Sequence, residues 1–188
     1  MKLYHVSGIN KNKPEIDMRQ SSKCDVTYVY FLMDAMQTYD EFHRMYNHSL
    51  VEQCSKEKGW SKEKIAAEAI FEYVRLTEFS ASPSRLLYAY FTDSIQKAKT
   101  FNKVERNNNG DYFYFEADED KIYYYDMDIF DQAVKELNET GFTEKSFEYI
   151  KSIARKYWLT SKEGNIEILY KGRPVLKNIT ALVKKEQI

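Results

Sequence analysis

The stretch Leu86-Leu87-Tyr88-Ala89-Tyr90-Phe91, followed by Thr92-Asp93-Ser94, predicts a strand that runs directly into a helix. The first six residues are apolar or aromatic and have turn-forming residues on both sides, which is typical of a buried strand. Asp93 and Gln96 have the three-residue spacing of a capping box at a helix N-terminus. The packing face of the helix would then comprise Ile95, Ala98 and Phe101.

Before this stretch, the sequence predicts one strand and a pair of helices. Lys2 to Val6 is a short strand, so His5 lies near its end. Apolar residues recur at helical spacing from about 26 to 46. A second helix is expected from 61 to 79, with Ser61 as its N-cap. We therefore expect a helical insertion between the first two strands.

After this stretch, strands and helices follow in segregated groups. A turn signal at 107–110 precedes two strand-like runs, which predict an antiparallel hairpin. The remaining elements are predicted at about Tyr112–Glu116 and Lys121–Tyr125 (the hairpin), Ile129–Leu137 and Glu144–Trp158 (helices), and Ile166–Tyr170 and Val175–Ile179 (strands). This order predicts an α+β fold rich in antiparallel strands, and the length predicts a single domain over 1–188.

Composition narrows the classes of function. With 28 Lys+Arg and 29 Asp+Glu, the net charge of −1 leaves no overall basic footprint for nucleic acid. The sequence holds no apolar run of the roughly 18 residues that a membrane span needs and no secretory signal, so we expect a cytoplasmic protein without a membrane partner. Cys24 and Cys54 are too few for a disulfide framework and are expected to be reduced thiols. No metal site is expected, since His43 and His48 have the wrong spacing for one helix face.

Three separated segments carry the chemistry of the sequence. They are Leu3-Tyr4-His5-Val6-Ser7, then Leu87-Tyr88-Ala89-Tyr90-Phe91-Thr92-Asp93 leading into a helix, and then Ile166-Glu167-Ile168-Leu169-Tyr170 before a glycine-containing turn. Together they resemble the strand-borne His, Tyr and Glu of the ADP-ribosyltransferase fold. The resemblance spans nearly the whole chain and implies two split, antiparallel-rich β-sheets with NAD as co-substrate.

The resemblance also implies a role for each residue of the trio. His5 would hold the adenosine ribose of NAD, and Tyr90 would stack against the nicotinamide ring. Glu167 would accept a hydrogen bond from the nicotinamide ribose and stabilise the positive sugar that forms as nicotinamide departs. Ser7, Arg85 and Phe101 complete the expected NAD-binding set, in which the Arg85 guanidinium suits a pyrophosphate.

Alternatives remain open at this point. Asp126 and Asp128, after another strand, compete with Glu167 for the carboxylate role, with Asp126 as the main rival. Asn165 stands where arginine-modifying relatives carry Glu or Gln. The implied function is transfer of ADP-ribose from NAD to a protein or nucleic acid with release of nicotinamide, as in a toxin or a phage or defence factor that an antitoxin or other regulator could control. A non-catalytic binding or inhibitor module and an NAD glycohydrolase are the alternatives.

Overall fold

The computed structural model describes residues 1–18, 27–159 and 162–185. Its contacts divide the chain into two compact units whose segments alternate along the sequence. Unit 1 consists of Met1–Lys23, Tyr88–Tyr123 and Glu167–Ile188, and unit 2 of Cys24–Leu87 and Tyr124–Ile166. A single domain over 1–188 stays a prediction.

The described residues form an α+β structure, which confirms the predicted class. The strands are β1 (Lys2–Ser7), β2 (Glu15–Asp17), β3 (Tyr90–Phe91), β4 (Asp111–Glu116), β5 (Ile122–Asp126), β6 (Ile166–Tyr170) and β7 (Val175–Asn178). The helices are α1 (Thr27–Met33), α2 (Tyr39–Tyr46), α3 (Ser49–Lys58), α4 (Lys62–Glu78), α5 (Ile95–Arg106), α6 (Met127–Thr140), α7 (Glu144–Trp158) and α8 (Thr180–Lys185). No described helix is long and apolar enough to cross a membrane.

The strands form two sheets that meet at one residue pair. The first sheet has the order β1-β4-β7-β2 with antiparallel pairings, and the second has the order β3-β6-β5. Tyr4 of β1 pairs with Thr92, just after β3, through two backbone hydrogen bonds of 2.9 Å. This pair makes β1 and β3 neighbours.

Aromatic side chains fill one face of these strands in unit 1. The Phe115 ring lies 5.1 Å from the Phe91 ring and 4.8 Å from the Tyr170 ring, centroid to centroid. On the opposite face of β1 and β4, α5 and α8 bury a smaller cluster formed by Val6, Ala98, Tyr112 and Val183. Both faces of β1 are therefore packed, which fixes the strand that carries His5.

Unit 2 is mainly helical and is organised around α4. The indole Nε1 of Trp158 on α7 donates a 2.8 Å hydrogen bond to the Phe71 carbonyl of α4. The Phe71 ring also meets the Phe130 ring of α6 edge-on at 5.1 Å. Two carboxylates of α4, Glu68 and Glu72, are buried with arginine partners. The helix therefore combines apolar packing with buried ion pairs.

The predicted strand over Leu86–Phe91 is wrong, because only Tyr90 and Phe91 are extended as β3. Ser84 forms a turn instead: its Oγ accepts from the Leu86 amide at 3.1 Å, and its carbonyl accepts from the Leu87 amide at 3.3 Å. Local side-chain hydrogen bonds of this kind compete with strand pairing. The apolar run packs in a turn before it reaches the sheet.

The helix after β3 is present, but its cap differs from the prediction. Ser94 is the N-cap, and its Oγ accepts from the Lys97 amide at 3.2 Å. Asp93, the predicted cap, instead pairs with the Lys97 ammonium at 2.9 Å. Both residue types cap helices well, so sequence alone could not decide between neighbours.

The predicted hairpin is also wrong, because β4 and β5 belong to different sheets. A 3₁₀ turn at Glu119–Lys121 separates them, and β4 pairs with β1 and β7.

The predicted helix over 26–46 is two helices, since Thr38 caps α2 by accepting from the Glu41 amide at 3.2 Å. Val26 and Cys24 lie outside the described residues, and β2, α3 and α8 were not predicted.

The predicted cap of α4 is confirmed, and Ser61→Ala is expected to lower the free energy of unfolding by about 1 kcal/mol. The Ser61 Oγ accepts from the Lys64 amide at 3.1 Å, which satisfies one of the first amides of the helix. Urea unfolding of the two proteins measures the difference. As a control, Ser152→Ala removes a hydroxyl inside α7 and should change the free energy by less than about 0.5 kcal/mol. Equal losses in both variants would contradict a capping effect.

Candidate active site

His5 lies where the contact between β1 and β3 ends. Beyond the Tyr4–Thr92 pair, the His5 Nδ1 lies 3.0 Å from the Tyr90 carbonyl oxygen. A carbonyl only accepts, so this hydrogen bond assigns the proton of a neutral imidazole to Nδ1. In that neutral tautomer, the other ring nitrogen, Nε2, has a lone pair that can accept a hydrogen bond from a hydroxyl group.

Tyr90 presents its ring near the surface while its neighbour on β3 is buried. The residue is 40% exposed, whereas Phe91 is 2% exposed. This difference follows from strand alternation, which sends successive side chains to opposite faces. An exposed phenol ring on a strand whose neighbour anchors it in the core can provide a rigid stacking surface for a planar ligand.

Glu167 lies on β6, the strand next to β3 in the second sheet. Tyr90 is directly opposite Leu169, so Glu167, two residues before Leu169, shares the face of Tyr90. Diagonal neighbours of this kind lie about 7–8 Å apart. Glu167 is only 7% exposed, so its carboxylate lies in the interior within an otherwise apolar strand. Such placement gives a charge unusually strong electrostatic influence on its surroundings.

The trio forms a row across neighbouring strands and not a cluster on one face. Thr92 shares the face of Tyr90, and its partner Tyr4 does too, so strand alternation assigns His5 to the other face. The His5 ring accordingly lies 5.8 Å from the Phe91 ring. The structure thus brings His5 to the backbone of Tyr90, and Glu167 to its side-chain face.

Ser7 and Phe101, two other predicted NAD-binding residues, also lie in unit 1. The Ser7 Oγ accepts from the Asn10 backbone and side-chain nitrogens, both at 3.2 Å, and therefore holds the loop after β1. Phe101 is 40% exposed on α5, and the Arg106 guanidinium carbon lies 5.8 Å from its ring centroid. Contact of either residue with NAD stays a prediction.

The structure places Arg85 in the interior of unit 2. Its guanidinium forms a two-pronged ion pair with Glu68, with Nε to Oε2 at 3.0 Å and NH2 to Oε1 at 3.2 Å. It also donates to the Tyr157 hydroxyl at 2.7 Å and stacks 4.0 Å above the Phe130 ring. These contacts give Arg85 a structural role and do not favour the predicted contact with the NAD phosphates.

Asp126, the rival carboxylate, caps α6. Its Oδ1 accepts from the Asp128 amide at 3.0 Å and from the Asn165 amide at 3.2 Å. Gly164 has φ +90°, and a β-carbon there would lie 2.4 Å from the Asp126 carboxylate. The close approach of the Gly164 backbone and the two hydrogen bonds from backbone amides favour a structural function for Asp126. A catalytic role for Glu167 stays a prediction.

One polar pair of unit 1, Tyr170 with Asp118, was not predicted from the sequence. At the end of β6, the Tyr170 hydroxyl donates to the Asp118 Oδ2 at 3.3 Å. Burial raises the pKa of Tyr170, whereas the hydrogen bond from Lys121 lowers the pKa of Asp118. The phenol therefore stays protonated and the carboxylate ionised around neutral pH. No local motif links these residues, because they come from separate segments.

The described residues contain no cluster of side chains suited to bind a metal ion. Across residues 1–18, 27–159 and 162–185, no group of three or more His, Cys, Asp or Glu side chains could hold an ion. His48 instead caps α3, its Nδ1 accepting from the Leu50 amide at 3.2 Å. His43 lies beside Tyr39, with 5.4 Å between ring centroids.

Comparison with known protein families places the chain in a group without an assigned activity. Residues 3–181 match the model of DUF2441, described as a protein of unknown function. Because the match covers nearly the whole sequence, the chain belongs to this family. No curated protein matches it.

Proposed function

We propose that this member of the DUF2441 family is an NAD-dependent ADP-ribosyltransferase that modifies a macromolecular acceptor and releases nicotinamide. One observation carries the proposal. Three residues far apart in sequence lie on neighbouring strands of unit 1, with His5 Nδ1 3.0 Å from the Tyr90 carbonyl and Glu167 on the strand paired with β3. The residue types in this row match the three roles that NAD cleavage requires.

Each side chain has a distinct task in the proposed reaction. The His5 Nε2 accepts a hydrogen bond from a ribose hydroxyl, and the Tyr90 ring stacks on the nicotinamide. As the bond between the ribose carbon and the pyridinium nitrogen breaks, its electron pair leaves with nicotinamide and positive charge grows on the sugar. The fixed Glu167 carboxylate stabilises that charge more in the transition state than in the ground state. A nucleophile of the acceptor then bonds to the ribose carbon and loses its proton.

The identity of residue 165 disfavours an arginine acceptor. Asn165 stands where arginine-modifying relatives carry Glu or Gln, and its side chain is one methylene shorter than either, so it reaches less far toward an arginine acceptor. Its backbone is also engaged, because the amide donates to Asp126 at 3.2 Å and the carbonyl accepts from Met127 at 2.8 Å. The proposal therefore concerns another protein side chain or a nucleic acid.

Tyr90→Ala is expected to weaken NAD binding, because the substitution removes the stacking surface. The loss should be roughly 0.5–1.5 kcal/mol beyond the effect of buried area, measured by calorimetric titration of NAD. Tyr149→Ala is a matched control, since Tyr149 is 39% exposed and lies on α7 of unit 2. Unchanged NAD affinity in a folded Tyr90→Ala protein would remove Tyr90 from the proposed site.

Labelled NAD tests the proposed function against its alternatives. The protein is incubated with NAD labelled in the adenylate moiety and a cell lysate, and the products are digested with protease or nuclease. Label in a macromolecular fraction is the expected result. Free ADP-ribose alone would indicate NAD hydrolysis by water, and NAD binding without nicotinamide release would indicate a non-catalytic module.

A further inference from the structure

Unit 1 carries a basic and apolar surface. Of its residues, only Phe101 belongs to the predicted NAD-binding set. Helix α5, with the sequence IQKAKTFNKVER, holds four basic residues and one acidic residue. Its inner side is buried through Ala98 and Asn102, which leaves the opposite side to solvent. We define the α5 surface as the exposed side chains of this helix from 101 to 106 together with two exposed side chains of the adjoining loop, namely Ile9, Lys11, Phe101, Lys103, Val104, Glu105 and Arg106. Its three cations outnumber its one carboxylate.

The cations of the α5 surface are held close to the loop that follows β1. A β-carbon built at Gly8 would lie 3.8 Å from the Arg106 Cδ, so the arginine stem passes beside this loop. The Lys11 ammonium contacts the Asn109 side-chain oxygen just beyond the C-terminus of α5. Helix and loop therefore present their charges as one surface.

The apolar members of this surface are unusually exposed. Ile9 is 93% exposed, Val104 is 66% exposed and Phe101 is 40% exposed. The Arg106 guanidinium lies 5.8 Å from the Phe101 ring centroid, which places a cation beside an accessible aromatic face. An aromatic platform next to cations can stack a base while neutralising its phosphate.

We propose that the α5 surface binds single-stranded nucleic acid and that the acceptor of the proposed ADP-ribose transfer is such a strand. Only the second part of this proposal, the identity of the acceptor, rests on the proposed function. The cations complement a phosphate backbone, and Phe101 requires an unstacked base, which favours a single strand over a duplex. The basic charge is local, consistent with a chain whose net charge is −1.

The location of the surface suits an acceptor site. Strand β1 carries His5 and leads directly into the loop with Gly8 and Ile9. Helix α5 packs on the face of β1 that holds Tyr4 and Val6. The Tyr4–Thr92 pair and strand alternation assign Tyr90 and Glu167 to this same face, whereas His5 is on the other. A nucleic acid bound along α5 therefore lies on the side of the sheet that carries Tyr90 and Glu167.

Fluorescence anisotropy tests the surface directly and without NAD. The probes are fluorescein-labelled single strands of DNA and of RNA, each about 12 nucleotides long, within the range that one binding module covers. Phe101→Ala should weaken binding by roughly 5- to 150-fold, the effect of losing one stacked base. Affinity falls as salt rises, so the slope of log affinity against log salt is negative. Lys103→Gln with Arg106→Gln should make this slope shallower by about 1.4, because each phosphate contact contributes about 0.7 on a single strand.

A matched double variant in unit 2 controls for the loss of positive charge. Lys135→Gln with Lys156→Gln removes two exposed cations from α6 and α7 and should leave both affinity and salt slope unchanged. A labelled DNA duplex that contains the same single strand is measured for comparison. The inference is overturned if neither single-stranded probe binds, if the α5 variants bind as well as the parent protein, or if this duplex binds as tightly as the single strand. Binding to phosphatidylserine vesicles without oligonucleotide binding would also overturn it.

A separate measurement distinguishes failure of this inference from failure of the proposed function. Nicotinamide release by the parent protein is measured with and without the same oligonucleotides. Release without oligonucleotide binding leaves the proposed function standing and overturns the α5 surface. Oligonucleotide binding without release in either condition supports the surface as a binding site and contradicts transfer.

Discussion

Glu167→Gln is expected to slow nicotinamide release from NAD by a factor on the order of 10² to 10³, the scale of losing one electrostatic stabiliser of a transition state. Glutamine keeps the shape of the side chain and removes a charge that lies only 7% exposed, so the fold should be retained. NAD affinity should change little, because His5 and Tyr90 provide the proposed ground-state contacts. Single-turnover release of nicotinamide, together with calorimetric titration of NAD, separates the rate effect from binding.

Asp126→Asn is the matched control for this experiment. It removes a negative charge at the rival position, and asparagine caps helices about as well as aspartate, so α6 should keep its N-cap. Nicotinamide release per folded molecule should stay within a few-fold of the parent rate. Near-normal release by Glu167→Gln together with an inactive Asp126→Asn protein would reverse the assignment of the catalytic carboxylate.

Arg85→Met is expected to lower the free energy of unfolding by roughly 3–5 kcal/mol, because it leaves Glu68 as a buried, uncompensated charge. The side chains of Arg85 and Glu68 are each 3% exposed, and their ion pair measures 3.0 Å. Urea unfolding of the variant measures the loss. Adding Glu68→Gln to Arg85→Met should recover part of it, since the second substitution removes the unpaired charge.

Arg155→Met provides the surface counterpart. Arg155 pairs with Glu78 at 2.8 Å, but these side chains are 47% and 37% exposed, so the loss should be at most about 1 kcal/mol. A comparable loss in both variants would contradict a special cost of the buried pair. A stable Arg85→Met protein with much weaker NAD binding would instead return Arg85 to the NAD-binding set.

Local signals in the sequence predicted the helices well where a cap and an apolar face agreed. The α7 bounds Glu144–Trp158 were predicted, and Thr143 caps the helix by accepting from the Ser146 amide at 3.1 Å. The cap of α4 at Ser61 was likewise predictable. A cap and the face beside it depend on residues within a few positions of each other, so a single sequence contains the information.

Pairing partners of strands were not predictable in the same way. The alternation of apolar and polar residues indicates that β4 and β5 are strands, but it does not indicate which strands pair. In the structure β4 pairs with β1 and β7, and not with β5. The candidate site depends on such distant partners, since His5 reaches Tyr90 only through the Tyr4–Thr92 pair. Arg85 shows the same limit of sequence analysis. Its guanidinium suggested a contact with the NAD phosphates, whereas its actual partner, Glu68, lies on α4 earlier in the chain.

The order of strands in the first sheet has a consequence for synthesis. His5 pairs opposite Phe113, and Glu15 pairs opposite Lys177, so β1 and β2 emerge from the ribosome long before their partners. Until then, β1 exposes unsatisfied backbone groups and the apolar side chains Leu3 and Val6, which favours association with other chains. Pairings between distant segments also form slowly. A nascent chain therefore lacks the arrangement of His5, Tyr90 and Glu167 until β6 has been made, and refolding at high concentration should compete with aggregation.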